Sequence, residues 1–291
     1  MYEHVEAAPV ARFVPLTTGI QIYTRQWPGE RTPFVLLHGL ASNCRLWEQV
    51  AQQLAAAGHA VVTVDQRGHG QSDKPEDGYD FATVTADLAA LLDTLHLDRP
   101  IVAGQSWGGN VVLEFGARYA GRAQGLAFID GGFLDLQLRP EGSWEATAER
   151  LRPPVLLGTP VTAIRARIRQ ANPEWSDDAV EAVLANFEVL ADGTVRPWLS
   201  LRNHMAILRQ LWEQRPPMLF PQVQEPVLIC VAMDGNSERV AQKEQQVEAA
   251  QRALAHSVVQ RFENTHHDIH AHRPQALAQL FLQTLTAGIW Q

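Results

Sequence analysis

Only two cysteines and two lysines occur among the 291 residues, and each scarcity removes a class of explanation. Cys44 and Cys230 cannot build the disulfide framework that holds small secreted domains together, and Cys230 lies inside an apolar strand-like run. That usage fits a reducing compartment, so a cytoplasmic location is expected. Met1 to Arg12 carries Glu3 and Glu6 and lacks the apolar stretch of a secretory leader. No run approaches the roughly 20 apolar residues that a membrane-spanning helix requires. The basic residues are arginines almost throughout, a bias that carries no functional message here. With a formal charge of -8 and no long run of one sign, the chain offers no basic face to follow nucleic-acid phosphates. Nucleic acid and membranes are therefore not expected partners.

What is present is ample apolar material, 46% of the residues, enough to bury a large core in a single catalytic unit. Short apolar runs at Phe34–Leu37, Ala60–Val64, Ile101–Ala103, Leu126–Ile129 and Val227–Val231 alternate with amphipathic stretches. That rhythm predicts a parallel sheet covered by helices. Arg12–Thr18 and Ile20–Trp27 read as an antiparallel hairpin at its edge, and Val258–Phe262 as a last strand. The expected fold is α/β: a mostly parallel eight-stranded sheet flanked by helices, with a helical cap inserted after strand 6. In residues, the core is expected over 1–132 and 225–291 and the cap over 133–224. The insertion holds Trp144, Trp175, Phe187, Trp198 and Trp212, with helical patterns at Asp177–Leu190 and Pro197–Glu213. Such an insertion lies over the carboxyl ends of the strands, where ligands bind. Its aromatics point to an apolar pocket, although at helical spacing most of them are expected to be core. His204 and Met205, on the second helical pattern, are candidates for the pocket but more often packing residues.

Ile101 to Val112 reads as an apolar strand, a Gly104-Gln105-Ser106-Trp107-Gly108 turn and an apolar helix start. A G-x-S-x-G turn in that context presents the serine hydroxyl on a strained elbow, and small residues two before and two after avoid clashes. The helix start and the Trp107 amide favour negative charge on a reacting oxygen. A second amide is expected from Leu40, because Leu36-Leu37-His38-Gly39-Leu40 ends another apolar strand; His38 is read as structural. Asp65-Gln66-Arg67-Gly68-His69-Gly70 follows a strand but lacks the third glycine of a dinucleotide loop. It is read as an ordered loop outside the site. Near the C-terminus, a loop after the last strand carries His266, His267, His270 and His272. No Cys or carboxylate set accompanies them at a zinc spacing, so no metal is expected.

Taken together, His38-Gly39, Asp65-x-Arg67-Gly68-x-Gly70-x-Ser72, the Ser106 elbow and His267 seven residues before Pro274 resemble the α/β-hydrolase superfamily over nearly the whole chain. The resemblance implies a cofactor-free enzyme with nucleophile, acid and histidine in that chain order. It selects His267 as the general base and leaves His266 where a small residue usually stands. It offers two acids: Asp130, at the end of Leu126–Ile129 and 24 residues after Ser106, which is preferred, and Asp234 after Val227–Val231. A serine at 106 argues against dehalogenases and epoxide hydrolases, which use an aspartate. The expected activity is hydrolysis of a small apolar carboxylic ester or related acyl substrate through an acyl-enzyme. Carbon-carbon bond hydrolysis and a cofactor-free haloperoxidase-like activity are the enzymic alternatives, and a ligand receptor on the same scaffold is the non-enzymic one.

Overall fold

A computed structural model describes residues 8–139, 142–235 and 237–290. The chain opens with β1 (Val10–Pro15) and β2 (Gln21–Trp27), joined by a turn in which Gly19 takes φ 87°. β3 (Arg31–Leu37), α1 (Glu48–Ala56), β4 (His59–Val64), α2 (Phe81–Thr94), β5 (Ile101–Gln105), α3 (Trp107–Arg118) and β6 (Gly125–Ile129) follow in alternation. The chain then leaves the sheet for α4 (Trp144–Leu151), β7 (Thr159–Pro160), α5 (Val161–Ala171), α6 (Asp177–Leu184), β8 (Phe187–Val189), β9 (Thr194–Pro197), α7 (Leu201–Glu213) and α8 (Pro216–Leu219). It returns as β10 (Val227–Met233), α9 (Ser237–Ala253), β11 (Ser257–Glu263), α10 (Ile269–His272) and α11 (Pro274–Thr286).

Eight strands form one sheet in the order β1-β2-β4-β3-β5-β6-β10-β11. β2 runs against its neighbours β1 and β4, and the other pairings in this sheet are parallel. The mostly parallel eight-stranded fold is therefore present as the apolar rhythm predicted. Buried on both faces, the central strands are continuously apolar rather than alternating. Phe34 and Leu36 face the layer of α1 and α11, with Leu54, Leu277 and Phe281. Val35 and Leu37 face the layer of α2, α3 and α9, with Leu88, Val112 and Val247.

Strand order decides where the site lies. From β3 the chain steps outward to β4, then crosses back to lay β5 on the other side of β3. The loops leaving β3 and β5 thus diverge to opposite faces, and a crevice opens at their carboxyl ends. Leu37 pairs with Gly104 at this point, which sets the His38-Gly39-Leu40 loop beside the Ser106 turn.

The segment between β6 and β10 departs from the helical patterns expected of it. The helix begun at Asp177 stops at Leu184, and the one expected from Pro197 begins at Leu201. Between them, β8 and β9 form a hairpin that pairs with β7 in a small antiparallel sheet. The reason is local. Asp192 accepts from the Thr194 N–H at 2.9 Å and Gly193 takes φ 78°, closing a turn no helix can contain. Ser200 accepts from the Asn203 N–H and so caps α7 three residues after Pro197.

Candidate active site

Ser106 stands between β5 and α3 at φ 54° and ψ -122°, a backbone conformation that costs about 1–3 kcal/mol for a residue with a side chain. The surroundings hold it there. Its N–H donates to Ile129 O at 2.9 Å and its carbonyl accepts from the Gly109 N–H at 2.9 Å. Glycines supply the room: a Cβ on Gly104 would lie 2.2 Å from Gly108 O, and one on Gly131 2.2 Å from Ser106 O. A Cβ on Gly39 would meet Gln105 Oε1 at 2.4 Å. The G-x-S-x-G spacing is thus a packing requirement at the point where three strand ends converge.

Two histidines pin the loop after β3. His38 is fully buried, its Nδ1–H donates to Gly39 O at 2.7 Å, and its Nε2 accepts from the Gln66 N–H at 3.0 Å. Burial holds its pKa below the ordinary histidine value, so the ring is a neutral structural strut, as expected. His69 does the same one layer out: Nδ1–H donates to Arg67 O at 3.0 Å and Nε2 accepts from the Ala41 N–H at 3.2 Å. Burial drives its pKa well down. Held between these contacts, the loop leaves the Leu40 N–H engaged by neither ring. The Trp107 N–H belongs to the first turn of α3, whose donors have no intrahelical acceptor.

The His267 Nδ1 and Asp130 Oδ2 atoms are 2.6 Å apart. Asp130 follows β6 at φ 44° and is 1% exposed. Its Oδ1 accepts from the Ala232 N–H at 3.0 Å, and Lys243 Nζ lies 3.0 Å from each carboxylate oxygen. Burial would raise the Asp130 pKa, but the His267 hydrogen bond and charge, with Lys243 and the Ala232 amide, hold it below the usual carboxylate value. His267 keeps 48% of its side chain open, yet enough protein surrounds it for desolvation to oppose its charging. The Asp130 hydrogen bond and charge overcome that and raise its pKa. The Gln105 side-chain N–H donates to His267 O at 3.3 Å, tying the elbow to the histidine loop.

Asp234, the alternative acid, approaches the neighbouring His266 instead, with 3.1 Å between its Oδ2 and the ring Nδ1. His266 stacks on His272, which reaches Glu174 of the insertion at 3.2 Å. His270 is buried against Trp47 and burial pushes its pKa down to about 3. Among the described residues no group of three or more His, Cys, Asp or Glu is arranged to hold a metal ion. Asp65 satisfies backbone groups, accepting from the Cys44 and Gln71 N–H groups. Arg67 does not; it forms a buried two-point pair with Asp87 at 2.7 and 3.0 Å.

A cavity of about 510 Å³ opens beside this frame. Its wall runs from Ala41 and Ser42 past His69 and Gly70 to Pro153–Leu157, Phe187 and Pro197–Leu201, with His204. The His69 ring stacks on Trp107 at 5.3 Å, which places the cavity next to the Ser106 elbow. The Asp65–Ser72 loop, read from sequence as lying outside the site, therefore supplies part of the cavity wall. Of the insertion aromatics only Phe187 and Trp198 line it. Trp144 packs on Trp212 with ring centroids 6.1 Å apart, and Trp175 joins Leu46 and Ala271 in a separate cluster. His204 lines the cavity while Met205 packs on the core. Lys243 was not signalled by any motif, and Gln105 and His69 stand at open positions within the Ser106 turn and the Asp65–Ser72 loop.

The comparisons with known proteins agree with this geometry at the level of the family. A model of the alpha/beta hydrolase fold matches residues 32–274, and the chain belongs to that family. It is 28% identical over 196 residues to 2-(acetamidomethylene)succinate hydrolase of Mesorhizobium japonicum, covering 67% of this chain and 68% of that protein. Non-heme chloroperoxidase of Streptomyces lividans is 36% identical over 112 residues, 38% of this chain and 39% of that one. The chain spans only about 35–43% of the length of several such relatives. The crystal structure of an E-2-(acetamidomethylene)succinate hydrolase superposes with a TM-score of 0.78 at 23% identity, covering 96% of this chain and 99% of that one. Among the described residues no helix is long and apolar enough to cross a membrane.

Proposed function

We propose that the protein is a serine hydrolase that cleaves carboxylic esters or related acyl compounds with an apolar acyl portion. Ser106 is the nucleophile, His267 the base, Asp130 the acid, and the Leu40 and Trp107 amides the oxyanion donors. The observation that carries this reading is the 2.6 Å contact of His267 Nδ1 with the buried Asp130, behind a strained elbow serine. A carboxylate so placed fixes the histidine tautomer and stabilises the imidazolium that forms.

In the first half-reaction, His267 Nε2 takes the Ser106 Oγ proton as Oγ bonds to the substrate carbonyl carbon. The carbonyl electron pair moves onto oxygen, where the two amides receive it. As the pair returns, the bond to the leaving alkoxide breaks and the alkoxide takes the proton from His267. In the second half-reaction a water molecule, deprotonated by His267, adds to the acyl carbon. Ser106 then leaves with the proton, releasing the acid. Residues 133–224 act as the cap that walls the acyl pocket. Its lining by Pro153, Pro154, Leu156, Phe187, Trp198 and Leu199 suits a hydrocarbon group.

A second reading follows from the relative that is matched over two thirds of this chain: hydrolysis of an acetamidomethylene compound. A succinate carries two carboxylates and calls for cationic groups in the pocket. The cation on the cavity wall here, Arg196, is already bound to Glu188 through Nε at 2.7 Å, which favours the apolar ester. The test is turnover of acetyl, butyryl and octanoyl p-nitrophenyl esters by wild type and Ser106→Ala. Cleavage that Ser106→Ala lowers by roughly 10³-fold or more supports the reading. Wild-type turnover in that variant would sink it.

A further inference from the structure

Asp130 is held by an imidazole and by an ammonium, and only the imidazole takes part in the mechanism above. Lys243, on α9, places Nζ 3.0 Å from both Asp130 oxygens and donates to Ala232 O at 2.6 Å. Its side chain is 19% exposed, so its charge sits where solvent screens it poorly. The Ala232 N–H completes the set by donating to Asp130 Oδ1. The carboxylate therefore meets a backbone amide and an ammonium besides the imidazole. A compact ammonium suits this position because its three donors can divide between a carboxylate and a carbonyl, which a planar guanidinium does less readily. The basic residues of the chain are arginines almost throughout, and its other lysine also divides its donors between two carbonyls. Lys74 donates to Gly70 O and Ser72 O, both at 2.7 Å, and lies over Trp198.

We propose that Lys243 is a positioning residue that acts through Asp130 to set how strongly His267 holds a proton. The inference rests on the reading of His267 and Asp130 as base and acid. An unshared buried carboxylate would stabilise the imidazolium strongly and leave His267 protonated, and so useless as a base, well into the neutral range. Lys243 takes up part of that carboxylate and its positive field opposes a second positive charge nearby. Both effects keep the imidazole neutral at lower pH, while Asp130 still fixes its tautomer. The same ammonium keeps Asp130 ionised. The other charged or titratable groups around His267 are Asp268 beside it in the chain, the His266–Asp234 pair after β10, and His270 on α10. The Asp268 charge also favours the imidazolium, and Lys243 opposes it. Lys243 is then the cation that balances Asp130.

The test separates this role from mere neutralisation of a buried charge. Lys243→Gln keeps a hydrogen-bond donor and removes the charge, Lys243→Met removes both, and Lys243→Arg keeps the charge. In histidine-labelled protein carrying Ser106→Ala, NMR titration reads the His267 pKa directly, with the His267→Gln variant assigning the signal. The expected result is a rise of about 0.5–1 pH unit in Lys243→Gln and Lys243→Met, and little change in Lys243→Arg. With Ser106 intact, the acid limb of kcat/KM should move up by the same amount, a loss of roughly 3- to 10-fold on the acid side. If Met does not fold, Gln and Arg still decide the matter. An unmoved His267 titration in the neutral variants overturns the proposal, as does a shift in Arg equal to that in Gln. A moved titration in a protein that cleaves no ester would leave the Lys243 inference standing and remove the esterase reading instead.

Discussion

The strand-end frame and the inserted segment are built to different tolerances. Around Ser106 and Asp130, six glycines at 39, 104, 108, 109, 131 and 132 sit where a Cβ would come within 3 Å of another atom. The Ser106 backbone and the Asp130 carboxylate have defined partners, and even the orienting histidines 38 and 69 are fixed at both ring nitrogens. The cavity wall contributed by the insertion is looser. Val155 and Leu157 are 86% and 62% exposed, and two consecutive prolines precede them without regular structure. The lesson is that reaction chemistry demands sub-ångström placement, whereas an apolar acyl group is bound by area alone, which many arrangements provide.

The largest effects should come from breaking the frame at its ionic contacts. Asp130→Asn is expected to lower kcat for a p-nitrophenyl ester by about 10⁴-fold, since the amide favours the wrong tautomer. Asp234→Asn should stay near wild type. In the same assay His267→Ala should inactivate and His266→Ala should do no more than perturb; the reverse ranking would move the base to His266 and the acid to Asp234.

A purely steric change sharpens the comparison. Gly131→Ala brings a methyl against Ser106 O, so the elbow must shift. Displacement by about 1 Å costs on the order of 10²-fold in activity, and overpacking costs about 1–3 kcal/mol of stability. A thermal melt beside kinetics checks both. Full activity in Gly131→Ala would mean that the elbow is softer than its contacts imply.

The pH dependence follows from His267. Its pKa is raised above 6.5, and a base works only when neutral. kcat/KM should therefore be flat above the folded pKa and fall about tenfold per unit as pH drops below it. A limb well under 6.5 would contradict the dominance of Asp130 over burial.

The smallest effects belong to the wall. Val155→Ser with Leu157→Ser should lower kcat/KM for the octanoyl ester by about 3- to 10-fold, leave the acetyl ester nearly unchanged, and alter stability by no more than about 0.5 kcal/mol. Equal losses on both esters would show that these side chains serve the frame rather than the acyl group.

Sequence alone determined the sheet, because a strand buried on both faces must be continuously apolar and its runs can be counted. It determined the elbow as well, since only small residues fit two before and two after a serine at positive φ. Pattern was weaker in the insertion, where Phe187-Glu188-Val189 forms a strand inside the stretch expected to be helical and an Asp192-Gly193 turn follows it. Tertiary structure decided the rest. Asp130 and Asp234 both follow strands in sequence, and neighbouring strands β6 and β10 bring them close to the same histidine loop. Which imidazole each one meets depends on the course of a few loop residues after β11, and no local periodicity encodes that. Lys243, 113 residues from Asp130, reaches the carboxylate because α9 packs on the face of the sheet below it. Contacts of that range are fixed by the packing of helices on strands, and the sequence around either partner carries no trace of them.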